Sequence, residues 1–353
     1  MSQHHEDREA ALSRRHALAW IMATGTAALY ALSAGAGKRF SLFDRADAAS
    51  AMAQDKPMIP VIVKDTTSFY WQTVIAGARK AGQDLGIKIV ELGAQSESDV
   101  SGQIRMLEIA VASNPTALVI APTQYAALKS PIDEAAKKVK IIGIDSAADT
   151  AALTSMVATD NAQAGRIAAD ILAERIQKTY ADAEGDVALI TSLPGVAALD
   201  QRAEGFKEQI AAKYGALDIV AEKVAESHAA ARQIMAEIIS AHSELRGVFA
   251  SNPIIAQGAA EAVSESKTNK TGDTINLVGF DWDDQLVKLL QDGTIAALVV
   301  QDPFRMGYDG VKTALAASKG EQVPAHIDTG VSLITKANMN SARSRELLNP
   351  KIK

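Results

Sequence analysis

Short β-branched apolar runs alternate with longer amphipathic stretches along most of this chain, and that alternation limits the fold more than any other feature. A first series lies at 58–63 (MIPVIV), 86–92, 116–121 (TALVIA), 140–145 (KIIGID) and 153–159. A second lies at 187–192 (VALITS), 217–224, 246–251, 275–281 (INLVGFD), 295–301 and 330–335. Between most of them, as at 72–85, 99–113, 124–138, 161–179, 201–213, 229–242 and 304–318, apolar residues recur at i, i+3 and i+4. Strands alternating with helices predict βαβ units and parallel sheets covered on both faces. A chain of 353 residues also exceeds what one core usually fills. The expected class is therefore α/β, with two Rossmann-like lobes, each built on a five-stranded open sheet. The changeover falls at Thr159-Asp160-Asn161.

The first fifty residues do not join this pattern. Residues 18–37 carry no charge, polar residues precede them, and charges return before the small-residue run Ala48 to Ala53. That is an export pattern, with Ala51-Met52-Ala53 fitting the small-x-small cleavage rule. Arg14-Arg15 resembles the twin-arginine signal that addresses folded proteins for export. An uncleaved anchor is the alternative, because an apolar run of this length can also span a bilayer. The expectation is a signal over 1–53 and a body delivered to the periplasm.

Several function classes are excluded or weakened by what is missing. There is no cysteine, so no thiolate nucleophile or cysteine-ligated metal is available. Lys+Arg number 36 against 42 Asp+Glu, with no basic block to neutralise a run of phosphates, which argues against nucleic acid. Past residue 53 there is no Gly-x-Ser-x-Gly elbow, no His-Glu-x-x-His, no phosphate loop and no Gly-x-Gly-x-x-Gly opening the first helix. His228, His242 and His326 are too dispersed to suggest a metal site. No enzyme, cofactor or metal is expected.

Ligands of open α/β sheets gather beyond the carboxyl ends of the strands. Five runs end in polar residues suited to that place: Val63 leads to Lys64-Asp65, Ile144 to Asp145, Ser251 to Asn252, Phe280 to Asp281 and Val300 to Gln301. Each has a plainer role open to it. Asn252 and Asp281 are residue types favoured as helix N-caps, and Lys64 could form an internal ion pair with Asp65 or Asp145.

Eight stretches in order carry a family resemblance. They are Phe69-Tyr70-Trp71 before Gly77-Ala78; Leu118 to Pro122; Ile144-Asp145-Ser146; Ala158 to Gly165; Gln201-Arg202-Ala203-Glu204-Gly205-Phe206; Phe249 to Asn252; Val278 to Asp281; and Val300-Gln301-Asp302-Pro303 followed by Met306-Gly307-Tyr308. Together they make nearly the whole chain past the leader resemble the periplasmic sugar-binding proteins of the ribose/galactose type. The resemblance implies a type I periplasmic binding fold whose lobes are joined by a three-segment hinge. One lobe would comprise 57–159 plus 302–330, and the other 160–301 plus 331–353. It implies a monomer that encloses a sugar or polyol and delivers it to the permease subunits of an ABC importer. A sensor coupled to a chemoreceptor or kinase is the alternative.

The implied ligand-binding residues are Lys64, Tyr70, Trp71, Asp145, Arg202, Asn252, Asp281 and Gln301. Adjacent sugar hydroxyls suit the bidentate Asp, Asn, Gln and Arg groups, and sugar C–H faces stack on aromatic rings. For Trp71 a core position, and for Arg202 a surface salt bridge, are the simpler readings. Ribose binders of this type carry Arg at the position of Ser146, Asn at that of Ala121 and a small hydroxyl residue at that of Lys64. Those departures make ribose itself an unfavoured ligand and make Lys64 a candidate selector.

Overall fold

The computed structural model describes residues 56–268 and 274–349. The expected export signal over 1–53, with Arg14 and Arg15, lies outside the described residues. Among the described residues no helix is long and apolar enough to cross a membrane.

Two parallel α/β sheets organise the chain. In the first, β1 (Met58–Asp65), β2 (Lys88–Ala94), β3 (Leu118–Ile120), β4 (Ile141–Ile144) and β5 (Ser155–Ala158) stand in the order 2-1-3-4-5. In the second, β6 (Gly185–Thr191), β7 (Leu217–Val224), β8 (Leu245–Ala250), β9 (Asn276–Phe280) and β10 (Ile295–Gln301) repeat that order. Burial explains the runs of Val, Ile and Leu. Residues Ile59, Val61, Ile62 and Val63 of β1 are all 0% exposed, as a strand covered on both faces requires.

On one face of the first sheet lie α1 (Phe69–Leu85) and a helix from late in the chain. On the other lie α2 (Val100–Ala112) and α3 (Lys129–Ala136). The second sheet is covered on one face by α4 (Asn161–Tyr180) and α5 (Ala197–Lys213). Its other face carries α6 (His228–Ala241), α7 (Pro253–Thr268) and α8 (Asp284–Asp292). The late helix is α9 (Pro303–Ser318), whose Val311 and Ala314 share a core with Trp71, Val74 and Ala78 of α1.

Each sheet has six strands rather than five; the sixth of the second falls on the run at 330–335, and only that of the first has no run in the sequence. The sixth strand of the first sheet is β11 (His326–Asp328), which pairs parallel with β5. The second gains β12 (Val331–Ile334), which runs antiparallel to β10, and the chain closes with α10 (Ala342–Leu348). Entering straight from β11 through two residues, β12 has no crossover that would turn it parallel.

Three short segments connect the sheets: 159–160, Asp302 and 329–330. Two are bonded to each other, with Asp160 N–H donating to Asp328 Oδ1 at 3.3 Å and Thr329 N–H to Ala158 O at 3.0 Å. Asp302 caps α9 by accepting from Arg305 N–H at 3.0 Å, and its Oδ2 meets Arg343 of α10 at 2.8 Å.

Candidate functional site

The carboxyl ends of both sheets face one cavity of about 430 Å³. All eight residues expected from the sequence border it, and of the two ion-pair partners open to Lys64 the structure has Asp145.

Asp145 follows β4 and Asp281 follows β9, the fourth strand of each sheet. Both take left-handed backbone conformations, with φ of 62° and 59°. This region is uncommon outside glycine and most accessible to Asn and Asp. The two carboxylates are then treated differently.

Asp145 is enclosed by protein donors. Lys64 Nζ and Ser146 Oγ reach its Oδ2 at 2.7 and 2.8 Å, and Tyr70 OH donates to Oδ1 at 2.8 Å. Lys64 also donates to Ser146 Oγ at 2.7 Å and is 3% exposed. Burial on its own would raise the Asp145 carboxyl. The Lys64 ammonium, helped by Arg202 and the Tyr70 hydroxyl, overrides burial and holds it below the usual aspartate range. Burial and the neighbouring Asp145 push the Tyr70 phenol well up, so it stays a donor. Lys64 does not pair with Asp65, whose Oδ1 accepts from Thr67 and Ser68 N–H, both at 2.7 Å, and shapes the turn into α1.

Asp281 has weaker support. Its carboxylate accepts from Gln301 N–H at 3.1 Å and Gln301 Nε2 at 2.7 Å. Burial pushes its carboxyl up, against Arg202 and the Gln301 bonds. Because the amide must turn its NH₂ to the carboxylate, Gln301 Oε1 is left buried with no protein partner.

Arg202 is 3% exposed and, among the described residues, makes no salt bridge. Its Nε donates to Asn161 Oδ1 at 2.8 Å and Nη1 to Ser251 O at 3.0 Å, while its guanidinium lies 3.6 Å above the Phe280 ring. Among the described residues Nη2 has no protein acceptor. Asn252 caps α7, accepting from Ile255 N–H at 3.0 Å, and donates to Ser192 Oγ at 2.6 Å. The capping and cavity-lining roles thus coexist in one side chain.

Trp71 is 1% exposed and packs in the first core, so it borders the cavity from behind rather than standing on its rim. The rim aromatics are Phe69, from α1, and Trp282, which follows Asp281. Their rings meet edge-to-face at 4.8 Å, joining the two lobes. A second contact runs from Tyr125 N–H to Gly195 O at 2.8 Å.

Glu97, Ser68 and Ser192 also line the cavity and were not singled out from the sequence. Ser192 directly follows β6, where the strand-end rule would have found it. Glu97 lies three residues past the end of β2 and gives no such signal.

A cavity between two doubly wound lobes, lined by carboxylates, amides, a guanidinium and aromatic rings and holding a buried acceptor without a partner among the described residues, has the architecture of a solute-binding protein. Residues 59–322 match the periplasmic binding protein domain, and the chain belongs to that family. It is 30% identical over 300 residues to the ribose import binding protein RbsB of Haemophilus influenzae, spanning 84% of this chain and 96% of that one. A carbohydrate transporter solute-binding protein from Agrobacterium radiobacter, solved in complex with D-arabinose, is 54% identical. It superposes with a TM-score of 0.80 over 84% of this chain and 100% of that chain. An ABC transporter solute-binding protein from Agrobacterium vitis bound with α-D-tagatopyranose is 28% identical, with a TM-score of 0.77, and covers 83% and 99%.

Proposed function

We propose that this protein is the periplasmic binding component of an ABC importer and that it captures a neutral monosaccharide of arabinose size. The observation that carries the reading is that one cavity holds both a buried acceptor, Gln301 Oε1, and a donor edge, Arg202 Nη2, neither with a protein partner among the described residues. A hydroxyl both donates and accepts, so a polyhydroxylated ring satisfies both. The D-arabinose and tagatopyranose held by the structural relatives support this chemistry. Ribose remains the unfavoured pentose, because Ser146 is engaged with Lys64 and Asp145 and Ala121 offers no amide.

The lobes are assigned to 57–159 plus 302–330 and 160–301 plus 331–353, and the binding unit is a monomer that docks on permease subunits. Export uses Arg14-Arg15; replacing both by Lys is expected to leave the protein in the cytoplasm, and an unchanged periplasmic yield would refute the twin-arginine route.

Titration calorimetry with D-arabinose, D-tagatose, D-allose, D-ribose and xylitol tests the ligand class. A ligand at 100 times its Kd adds about 2.7 kcal/mol of stability, which a thermal shift reads independently. Binding of D-arabinose well ahead of D-ribose is expected; tighter ribose binding, or no sugar bound, overturns it.

A further inference from the structure

We infer that Glu97 is a ligand-contact residue that steers the cavity toward neutral sugars and against sugar acids, an inference that rests on the neutral-sugar reading above.

Glu97 sits in the loop between β2 and α2 and borders the cavity. Trp71 Nε1 donates to its Oε1. Trp71 is fixed in the first core, and an indole offers one donor and no acceptor, so this bond holds the carboxylate in one orientation. The other oxygen, Oε2, has no protein donor among the described residues and stays open to the cavity of this half-buried side chain. Burial pushes the Glu97 carboxyl up, against the pull of Lys64 and the indole. A ligand hydroxyl can take the place of solvent at Oε2.

Charge sets the second half of the inference. The lining holds six carboxylates, those of Asp65, Glu97, Asp145, Glu226, Asp281 and Asp283, against Lys64 and Arg202. Lys64 is bonded to Asp145 and Ser146, so its charge is not free to receive an anion. An acidic ligand would meet the Glu97 carboxylate with Arg202 as the one cation of the lining that, among the described residues, makes no ion pair, and like charges there repel.

The test uses the full-length exported protein with D-arabinose, D-arabinitol and D-arabinonate as probes. Glu97→Gln keeps size and the Trp71 bond while removing the charge and one acceptor. Expected are wild-type preference for D-arabinose over D-arabinonate by at least a hundredfold, a loss of about tenfold for D-arabinose in Glu97→Gln, and narrowing of that preference. The unliganded melting temperature should stay within a degree or two, which separates contact from structural support. Wild-type binding of D-arabinonate as tight as D-arabinose, or Glu97→Gln with unaltered affinity and preference, overturns the inference alone. Wild-type protein that binds neither D-arabinose nor D-arabinitol overturns the neutral-sugar reading as well.

Discussion

Side chains that look alike at strand ends perform unlike tasks here. Lys64 is the counterion that lets Asp145 stay ionised in a buried place, so Lys64→Met strands a buried carboxylate. A cost of about 3–5 kcal/mol is expected for breaking such a pair from one side. The pH response gives the sign. Asp145 lies below its ordinary value in the fold, so its contribution is present above about pH 3.9 and lost as pH falls through the folded value. In Lys64→Met burial is no longer overridden, the carboxyl rises, and stability should instead decline as pH rises toward neutral. Denaturant melts of both proteins between pH 4 and 8 check this; parallel profiles would reject the ion-pair role. Asp281 behaves in the opposite way. Its raised carboxyl favours the fold at low pH and weakens it as pH rises through the folded value. Asp281→Asn keeps a residue at ease with positive φ and allows Gln301 to turn over, which would expose NH₂ in place of Oε1. At neutral pH we expect unliganded stability to hold or rise while D-arabinose affinity drops about tenfold; calorimetry showing full affinity would contradict it. Lys64, Asp145, Asn252, Asp281 and Gln301 were all legible as strand-end residues. Of their partners only the Lys64–Asp145 pair was foreseen, as one of two choices, because which groups meet depends on register between strands up to 81 residues apart.

Helices carry the site as much as strands do. On α4 and α5 the backbones approach so closely that a Cβ on Gly165 would lie 2.1 Å from Arg202 O, and one on Gly205 would lie 2.0 Å from Ala162 O. Gly165→Ala must therefore push away the turn that bears Arg202. A stability cost of about 1–3 kcal/mol or more is expected from overpacking, together with a large loss of affinity. Gly293→Ala is the control. Its φ of 84° strains an alanine, at about 1–2 kcal/mol, yet a Cβ there meets nothing, so affinity should survive. Equal affinities for the two variants, compared by calorimetry after thermal melts, would remove α5 position as a determinant of binding. The alternating runs made most of these elements readable. β11 escaped because His-Ile-Asp is three residues long with no apolar pattern, and its strand exists only through pairing with β5. The antiparallel course of β12 was equally hidden, since direction is decided by where the chain re-enters the sheet.

At the scale of the molecule, the contacts that join the lobes across the cavity mouth predict how binding is seen. Trp282 meets Phe69 of the opposite lobe, whereas Trp71 is locked in a core. D-arabinose should change tryptophan emission mainly through Trp282. Trp282→Phe should abolish most of the change and Trp71→Phe should keep it, while small-angle scattering shows a smaller radius with ligand. A bound sugar with no change in either signal would identify a rigid receptor. The threefold passage of the chain between the sheets has another consequence, felt during synthesis. α1 shares its core with α9, which begins at Pro303, roughly 220 residues after α1 ends at Leu85. At a ribosomal pace of about 5–20 residues per second, the apolar side of α1 waits on the order of ten to forty seconds for its cover. The second lobe can close around its own sheet through β10 in the meantime. The lobe translated first thus receives its covering helix only after five strands of the second sheet have been made, and a nascent chain halted before residue 303 would present the bare flank of α1 to whatever chaperone attends it.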